Sequence, residues 1–246
     1  MSGPVGPVGY AHRGFAPDGA ENSMAAFAAA VQLGYRFLET DARATADGVA
    51  LAFHDDRLDR VTNHTGRLRE LSWREVGQAR IQGREPIPLL ADVLAGFGEV
   101  VVNIDVKSDD AVGPTLAAIA RTNSWHRVRL ASFSHRRLRR LRAAVSGTGV
   151  ASALSPIEIT VLKSGRRPRL PAGDYAAQVP PGRGSLALIT PAFVRSAHAH
   201  GIAVHAWTVN DRTEMSRLLA LGVDAIITDR ADELRDVLIG RGQWPG

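Results

Sequence analysis

Along this chain the apolar residues switch between two periods. Short runs with one alternating face read as strands: Val8 to Ala11, Tyr35 to Asp41, Glu99 to Val106, Val128 to Ser132, Gly149 to Leu154, Asp174 to Val179, Ala203 to Thr208 and Ala225 to Thr228. Between them, apolar residues recur at helical spacing. Met24, Phe27, Val31 and Leu33 form the first such stripe, stopped by Gly34 and capped by Asn22 or Ser23. Further helices are predicted from Pro88 to Phe97, Asp110 to Thr122, Arg136 to Val145, Pro156 to Lys163, Arg212 to Leu221 and Asp229 to Ile239. One more opens at Thr190-Pro191, a cap followed by proline at the first helical position, and closes at Gly201. Steady alternation of strand and helix predicts an α/β fold with a parallel sheet, and favours a (β/α)8 TIM barrel over an open doubly wound sheet without separating the two.

One interruption follows the second strand. Asp47-Gly48 lies between two β-compatible runs and is the preferred pair for a two-residue hairpin turn. Facing positions would then have residue numbers summing to 95, which sets Asp41 opposite His54. From Arg57 to Pro88 the chain is polar and mixed, with a short helix around Trp73 to Val76. The pattern predicts a single domain, residues 1–246, carrying a β-hairpin and loop-rich excursion after strand two.

A length of 246 residues suits one such barrel, typically ~250 residues. No run of 18 apolar residues is present, and the first ten residues lack the basic and apolar regions of an export signal. A cytoplasmic chain without stable membrane insertion is the expectation. Without cysteine there can be no disulfide, thiolate metal site or cysteine nucleophile. The net charge of +5 conceals an asymmetry: residues 1–110 carry 11 basic and 16 acidic groups, residues 111–210 carry 14 and 2, and residues 211–246 carry 5 and 7. The densest basic stretch, within 127–142, keeps Leu138, Leu141 and Val145 on one stripe. It therefore reads as an amphipathic helix with a solvated face, and no nucleic-acid partner is expected.

Chemistry concentrates at strand ends. His12-Arg13-Gly14 terminates the first strand, and Glu39 and Asp41 share one face of the second, as do Asn103, Asp105 and Lys107 on the third. The predicted hairpin delivers His54 to the same place. Glu39, Asp41 and Asp105 offer three oxygen ligands for one hard divalent cation, Mg²⁺ or Ca²⁺, and without such a partner like charges would raise one another's pKa. Arg13 can grip two phosphate oxygens at once, and Lys107 adds a second positive charge.

These motifs, AHRG at Ala11, EN at Glu21, ETD at Glu39, TADG at Thr45 and HD at His54, resemble the glycerophosphodiester phosphodiesterase family. So do NIDVK at Asn103, ASFS at Ala131, HAWTVN at His205 and GVDAIITD at Gly222, so the resemblance spans nearly the whole chain. It implies the closed barrel, and hydrolysis of a small phosphodiester to glycerol 3-phosphate and an alcohol such as choline or ethanolamine. His12 and His54 would share general acid and base work, with His54 favoured as base and His12 as acid. Direct attack by water and a cyclic phosphate intermediate both remain open. The resemblance further carries Asn22 into the site and Trp207 to the barrel mouth as a surface for glycerol; the plainer readings are a helix cap and core packing. Asp105 departs from the family, where glutamate is usual. A lysophospholipase D reaction on lysolipids is the alternative, although no exposed apolar loop announces a place for an acyl chain. A non-catalytic barrel binding phosphorylated polyols is a remoter one.

Overall fold

The structure, a computed structural model, describes residues 6–184 and 186–244. In chain order the principal elements are β1 (Val8–His12), α1 (Met24–Gln32), β2 (Phe37–Ala44), α2 (Leu90–Gly96), β3 (Val101–Val106), α3 (Val112–Arg121), β4 (Val128–Ala131) and α4 (His135–Ala144). They continue with β5 (Ala151–Ala153), α5 (Pro156–Lys163), β6 (Tyr175–Val179), α6 (Pro191–Ala199), β7 (Ile202–Ala206), α7 (Arg212–Ala220), β8 (Ala225–Thr228) and α8 (Ala231–Gly240). Each of the eight strands pairs in parallel with the next, and β8 closes onto β1. This is a (β/α)8 barrel.

Strand alternation sorts the side chains into two cores. Ala11, Leu38, Val102, Ile104 and Leu130 face outward and pack under Phe27, Leu94, Ile119 and Leu141 of the helices. On the opposite side Ala177, Val204 and Ile226 pack under Phe193, Leu218 and Leu234. Val8, Tyr10, Ala225 and Ile227 form an inner cluster with Phe37 and Trp207. A polar layer joins them, with Gln178 Nε2 donating to Asn103 Oδ1 at 2.8 Å and the His205 ring 5.5 Å from that of Tyr10. Caps mark where the helices start: Ser23, Ser134, Ser155, Thr190 and Asp211 each accept a backbone N–H three residues on.

The hairpin after β2 corrects the two-residue reading of Asp47-Gly48. Ala42, Arg43 and Ala44 face Ala52, Leu51 and Ala50, so facing numbers sum to 94. Ala46, Asp47 and Gly48 make a three-residue loop: Thr45 N–H donates to Val49 O at 3.1 Å, Gly48 N–H to Thr45 O at 3.0 Å, and Gly48 sits at φ +78°. Side chains favour this form, since Thr45 Oγ1 donates to Asp47 Oδ1 at 2.6 Å and accepts from Val49 N–H at 3.0 Å. A one-residue change of register exchanges the two faces of a ribbon. Asp41 accordingly opposes Phe53, whose N–H meets the Asp41 carbonyl at 3.0 Å.

The excursion beyond it holds a small core of its own, built from Leu51, Phe53, Leu58, Val61, Leu68, Val76, Ile81 and Ile87, with Ala20 reaching in from the β1 side. It contains the predicted short helix, Trp73–Val76, closed by a Ser72–Glu75 capping box. No helix among the described residues is long and apolar enough to cross a membrane.

Candidate active site

Functional side chains gather where β1, β2 and β3 end. The chain leaves β1 through Arg13 at φ +56° and Gly14 at φ +83°. A Cβ on Gly14 would lie 2.6 Å from the Ala26 backbone, so only glycine lets the turn pass beneath α1. Ser23, rather than Asn22, caps α1. Asn22, at φ +57°, accepts from Thr40 Oγ1 at 2.7 Å and donates Nδ2 to Asp41 Oδ2 at 3.0 Å. Its side chain therefore fixes the carboxylate rather than the helix.

Register then stacks the charged groups. His12 lies beside Glu39, and Asp41 beside Asp105, across neighbouring parallel strands. Lys107 Nζ stands 2.8 Å from Asp41 Oδ1 and 2.6 Å from Asp105 Oδ2, and Arg13 Nε is 3.1 Å from Asp41 Oδ2. The Arg13 backbone N–H also donates to Glu39 Oε2 at 3.2 Å. All three carboxylates are buried, and their protonation divides by neighbour. Burial raises Asp41, but Lys107, Arg13 and then His54 more than offset it, so its carboxyl is held below the usual range. Asp105 is pushed up by burial, which Lys107 only partly counters. Glu39 rises to about 7 through burial and then the charge of Asp41.

These three side chains suit a divalent cation in their donor chemistry. All are hard oxygen ligands, Asp105 Oδ1 is buried without a hydrogen-bond partner, and Asp41 Oδ1 meets Lys107 in an ion-pair contact rather than a hydrogen bond. Among the described residues, however, no three acidic, histidine or cysteine side chains converge as a preformed ion cage. The Lys107 ammonium lies between Asp41 and Asp105.

Both histidines are tied at the same ring atom. His12 Nδ1 lies 2.6 Å from Asp229 Oδ1, and His54 Nδ1 lies 2.6 Å from Asp55 Oδ1. An ionised carboxylate only accepts, so Nδ1–H donates in each case; Nε2 of His12 then faces Glu39 Oε2 at 3.8 Å, and Nε2 of His54 is left for the cavity. Burial lowers the pKa of His12, but Glu39 and then the hydrogen bond to Asp229 carry it above the ordinary histidine value. Asp229 itself is held in place by Asn210 Nδ2 at 2.7 Å.

A further chain of ion pairs joins the barrel to the excursion. Glu21 Oε1 accepts from Arg13 Nη1 at 2.8 Å and from Arg60 Nη2 at 2.6 Å, while Arg60 Nε donates to Asp55 Oδ2 at 2.6 Å. Arg13 and His54, from different parts of the sequence, thus share one network. Asp55 belongs to it as the partner of His54.

His12, Arg13, Glu39, His54, Asp105, Lys107 and Trp207 all line one cavity of about 430 Å³. Much of its remaining wall is apolar, formed by Leu154, Pro156, Ile159, Val179, Pro180 and Leu188, with Asn103, Ser132, Lys163, Gln178 and Thr208 as the polar residues among them. At the mouth the Trp207 and Phe133 rings meet edge to face at 5.4 Å, and Lys107 Nζ lies 5.8 Å from the Phe133 ring centre. Sequence reasoning reaches His12, Arg13, Glu39, His54, Asp105 and Lys107, but misses Lys163 in the cavity wall and, around the site, Asp229, Asp55, Glu21 and Arg60. Asp229 stood within a quoted motif, GVDAIITD, where it reads as an ordinary helix start.

The chain matches known proteins in sequence and in fold. The sequence model of the Glycerophosphoryl diester phosphodiesterase family matches residues 12–233. A Mycobacterium tuberculosis protein described as probable glycerophosphodiester phosphodiesterase 2 is 44% identical over 252 residues, covering 98% of this chain and 94% of that protein. Among solved structures, a glycerophosphodiester phosphodiesterase from Agrobacterium tumefaciens superposes with a TM-score of 0.80 at 22% identity, over 95% of this chain and 100% of that one. An Oleispira antarctica phosphodiesterase, determined with its product sn-glycerol-3-phosphate, gives 0.77 at 20% identity over 95% and 97%. At such identities the two superpositions speak for the fold alone.

Proposed function

The chain belongs to the glycerophosphoryl diester phosphodiesterase family, and we propose from that premise that it hydrolyses glycerophosphodiesters, such as glycerophosphocholine or glycerophosphoethanolamine, by two-histidine acid–base catalysis supported by one divalent cation. The observation that carries this reading is the pair of carboxylate-anchored histidines, His12 and His54, facing one cavity with Arg13 and Lys107 beside the carboxylate floor.

Each group has a task that its position supports. A phosphodiester repels an attacking oxygen until its charge is offset, and the Arg13 guanidinium and Lys107 ammonium offset it. His54, with Nε2 free, takes the proton of the attacking hydroxyl. His12, whose pKa Glu39 and Asp229 raise, favours its protonated form and gives that proton to the departing alkoxide. Glu39, Asp41 and Asp105 are the residues that would hold Mg²⁺ or Ca²⁺, which supplies further stabilisation of charge on the phosphoryl oxygens. Asn22 keeps Asp41 in position, and Trp207 offers an apolar face to the glycerol moiety.

A second reading takes support from the apolar wall. Leu154, Pro156, Ile159 and Leu188 continue the cavity away from the charged floor, which gives the acyl chain of a lysolipid the place that the sequence did not announce. Hydrolysis there would follow the lysophospholipase D course with the same groups. The deciding experiment follows release of glycerol 3-phosphate or lysophosphatidate from a panel of glycerophosphodiesters and lysolipids, before and after chelation and with Mg²⁺ or Ca²⁺ restored. Activity that survives complete chelation removes the cation from the proposal, and an inert panel removes the hydrolysis.

A further inference from the structure

Arg60 stands outside the cavity, yet its contacts lead to both sides of it. Among the described residues that line the cavity, neither Arg60 nor either of its two carboxylate partners appears. Arg60 Nε donates to Asp55 Oδ2 at 2.6 Å, and Nη2 to Asp55 Oδ1 at 3.3 Å. The same Nη2 donates to Glu21 Oε1 at 2.6 Å, and Nη1 to Glu21 Oε2 at 3.3 Å. One planar fork therefore holds two carboxylates at once, a geometry that the point charge of a lysine does not reproduce.

The other contact of each carboxylate is a group assigned to the chemistry. Asp55 Oδ1 accepts from His54 Nδ1–H, and Glu21 Oε1 accepts from Arg13 Nη1, whose Nε lies against Asp41. Asp55 and Arg60 belong to the excursion, whereas Arg13 and Glu21 belong to the turn after β1. Exposed ion pairs contribute little to stability, and the Arg60 side chain is about half exposed. The bridge therefore matters more for where its partners sit than for how firmly the chain is folded. Burial raises the Asp55 carboxyl, but the hydrogen bonds with Arg60 and then with His54 carry it below the usual range. An ionised Asp55 keeps the proton on Nδ1 of His54 and leaves Nε2 as an acceptor.

We propose that Arg60 is a positioning residue, which sets the tautomer and aim of His54 through Asp55 and the direction of the Arg13 fork through Glu21. The assignment rests on the two-histidine reading above. Without Arg60, the Asp55 side chain is free to turn, and the proton on His54 is no longer confined to Nδ1. Glu21 then draws Arg13 with no opposing cation, away from the phosphate. The first effect lowers turnover and the second weakens substrate binding. Arg84 supplies a control, because its ion pair with Asp18 also ties the excursion to the turn after β1, and neither residue lines the cavity.

The test compares Arg60→Ala, Arg60→Lys and Arg84→Ala with the parent, using glycerophosphocholine with the divalent cation present. Arg60→Ala should lose at least ~10-fold in kcat/KM, through both a lower kcat and a higher KM, with little change in thermal midpoint. Arg60→Lys should recover only part of this, guanidinium added far below unfolding concentrations should restore activity to Arg60→Ala, and Arg84→Ala should match the parent. In an Asp55→Asn background Arg60→Ala should cost little further kcat, and in a Glu21→Gln background little further KM. Long-range proton–nitrogen spectra of the histidine rings, recorded at about pH 8.5 where a free histidine is neutral, give a readout independent of turnover. The parent should show His54 as the Nδ1–H tautomer and Arg60→Ala should shift it towards Nε2–H, while His12, anchored by Asp229, stays unchanged. Activity of Arg60→Ala within about twofold of the parent, an equal loss in Arg84→Ala, full additivity in both backgrounds, or an unaltered His54 ring would each overturn the proposal. A parent inert towards every phosphodiester would instead sink the catalytic reading, and the ring spectra would still decide whether Arg60 positions His54.

Discussion

Replacing Asp229 by asparagine isolates one contact in the site. Asp229 Oδ1 fixes Nδ1 of His12 at 2.6 Å, and Asn210 holds its second oxygen at 2.7 Å, so the substitution keeps shape while removing charge. A hydrogen bond to a charged group contributes ~1.5–3 kcal/mol when buried. The Asp229 side chain is 51% exposed, which reduces this to about 1–1.5 kcal/mol. The expected loss is therefore roughly 5- to 15-fold in kcat/KM. Its pH dependence is the sharper reading. Asp229 helps to raise the His12 pKa, so asparagine should move the alkaline limb of the rate profile to lower pH. The defect should shrink as acid restores the imidazolium. Glycerophosphocholine turnover measured from about pH 5.5 to 9, the range in which a histidine acid or base titrates, would reveal this. A loss below twofold throughout, or one equal at every pH, would refute the argument that Asp229 acts through His12.

Other substitutions test the remaining parts. His12→Ala and His54→Ala should each lower kcat by at least ~10² with little change in thermal midpoint, and near-normal turnover in either would remove that residue from the chemistry. Asp105→Glu should retain activity, whereas Asp105→Asn should weaken cation binding by calorimetry as well as by activity; equal affinity for the cation in all three proteins would free Asp105 from that role. His205 is buried and neutral, its pKa pressed well below the usual value by burial and then by Arg129. The unfolded chain binds a proton there that the folded chain refuses, so stability is full above ~pH 6.5 and falls below it by up to ~1.4 kcal/mol per pH unit. Urea unfolding of the parent and His205→Gln across that range should show the parent with the steeper acid loss, and parallel curves would contradict it.

The barrel was legible because the strands carry inward and outward faces in plain alternation and most of the helices start at a residue type that caps them. Thr190-Pro191 and the Ser155–Glu158 box mark helix starts by residue type alone. Register was less legible. Asp47-Gly48 suits a two-residue turn as well as the end of a three-residue one, and Thr45 decides between them through bonds that exist only once the loop has formed. His54 still reaches the cavity because the ribbon ends with the Phe53–Asp41 hydrogen bond and the chain turns away after it. The anchors of the two histidines differ in the same way. Asp55 adjoins His54 in sequence, but Asp229 stands 217 residues from His12 and meets it only because β8 closes on β1.

The excursion after β2 has a separate implication. It supplies His54, Asp55 and Arg60, while His12, Arg13 and the three carboxylates belong to the barrel. Its small apolar core can loosen at lower cost than the barrel's two larger ones. On the proposed mechanism, half of the acid–base pair then departs while the carboxylate floor stays assembled. Turnover should therefore fade in mild denaturant before the barrel's secondary structure does, so catalysis reports on the least durable part of the molecule. For the same reason an evolving lineage could exchange this segment, and with it one wall of substrate recognition, without rebuilding the strands beneath.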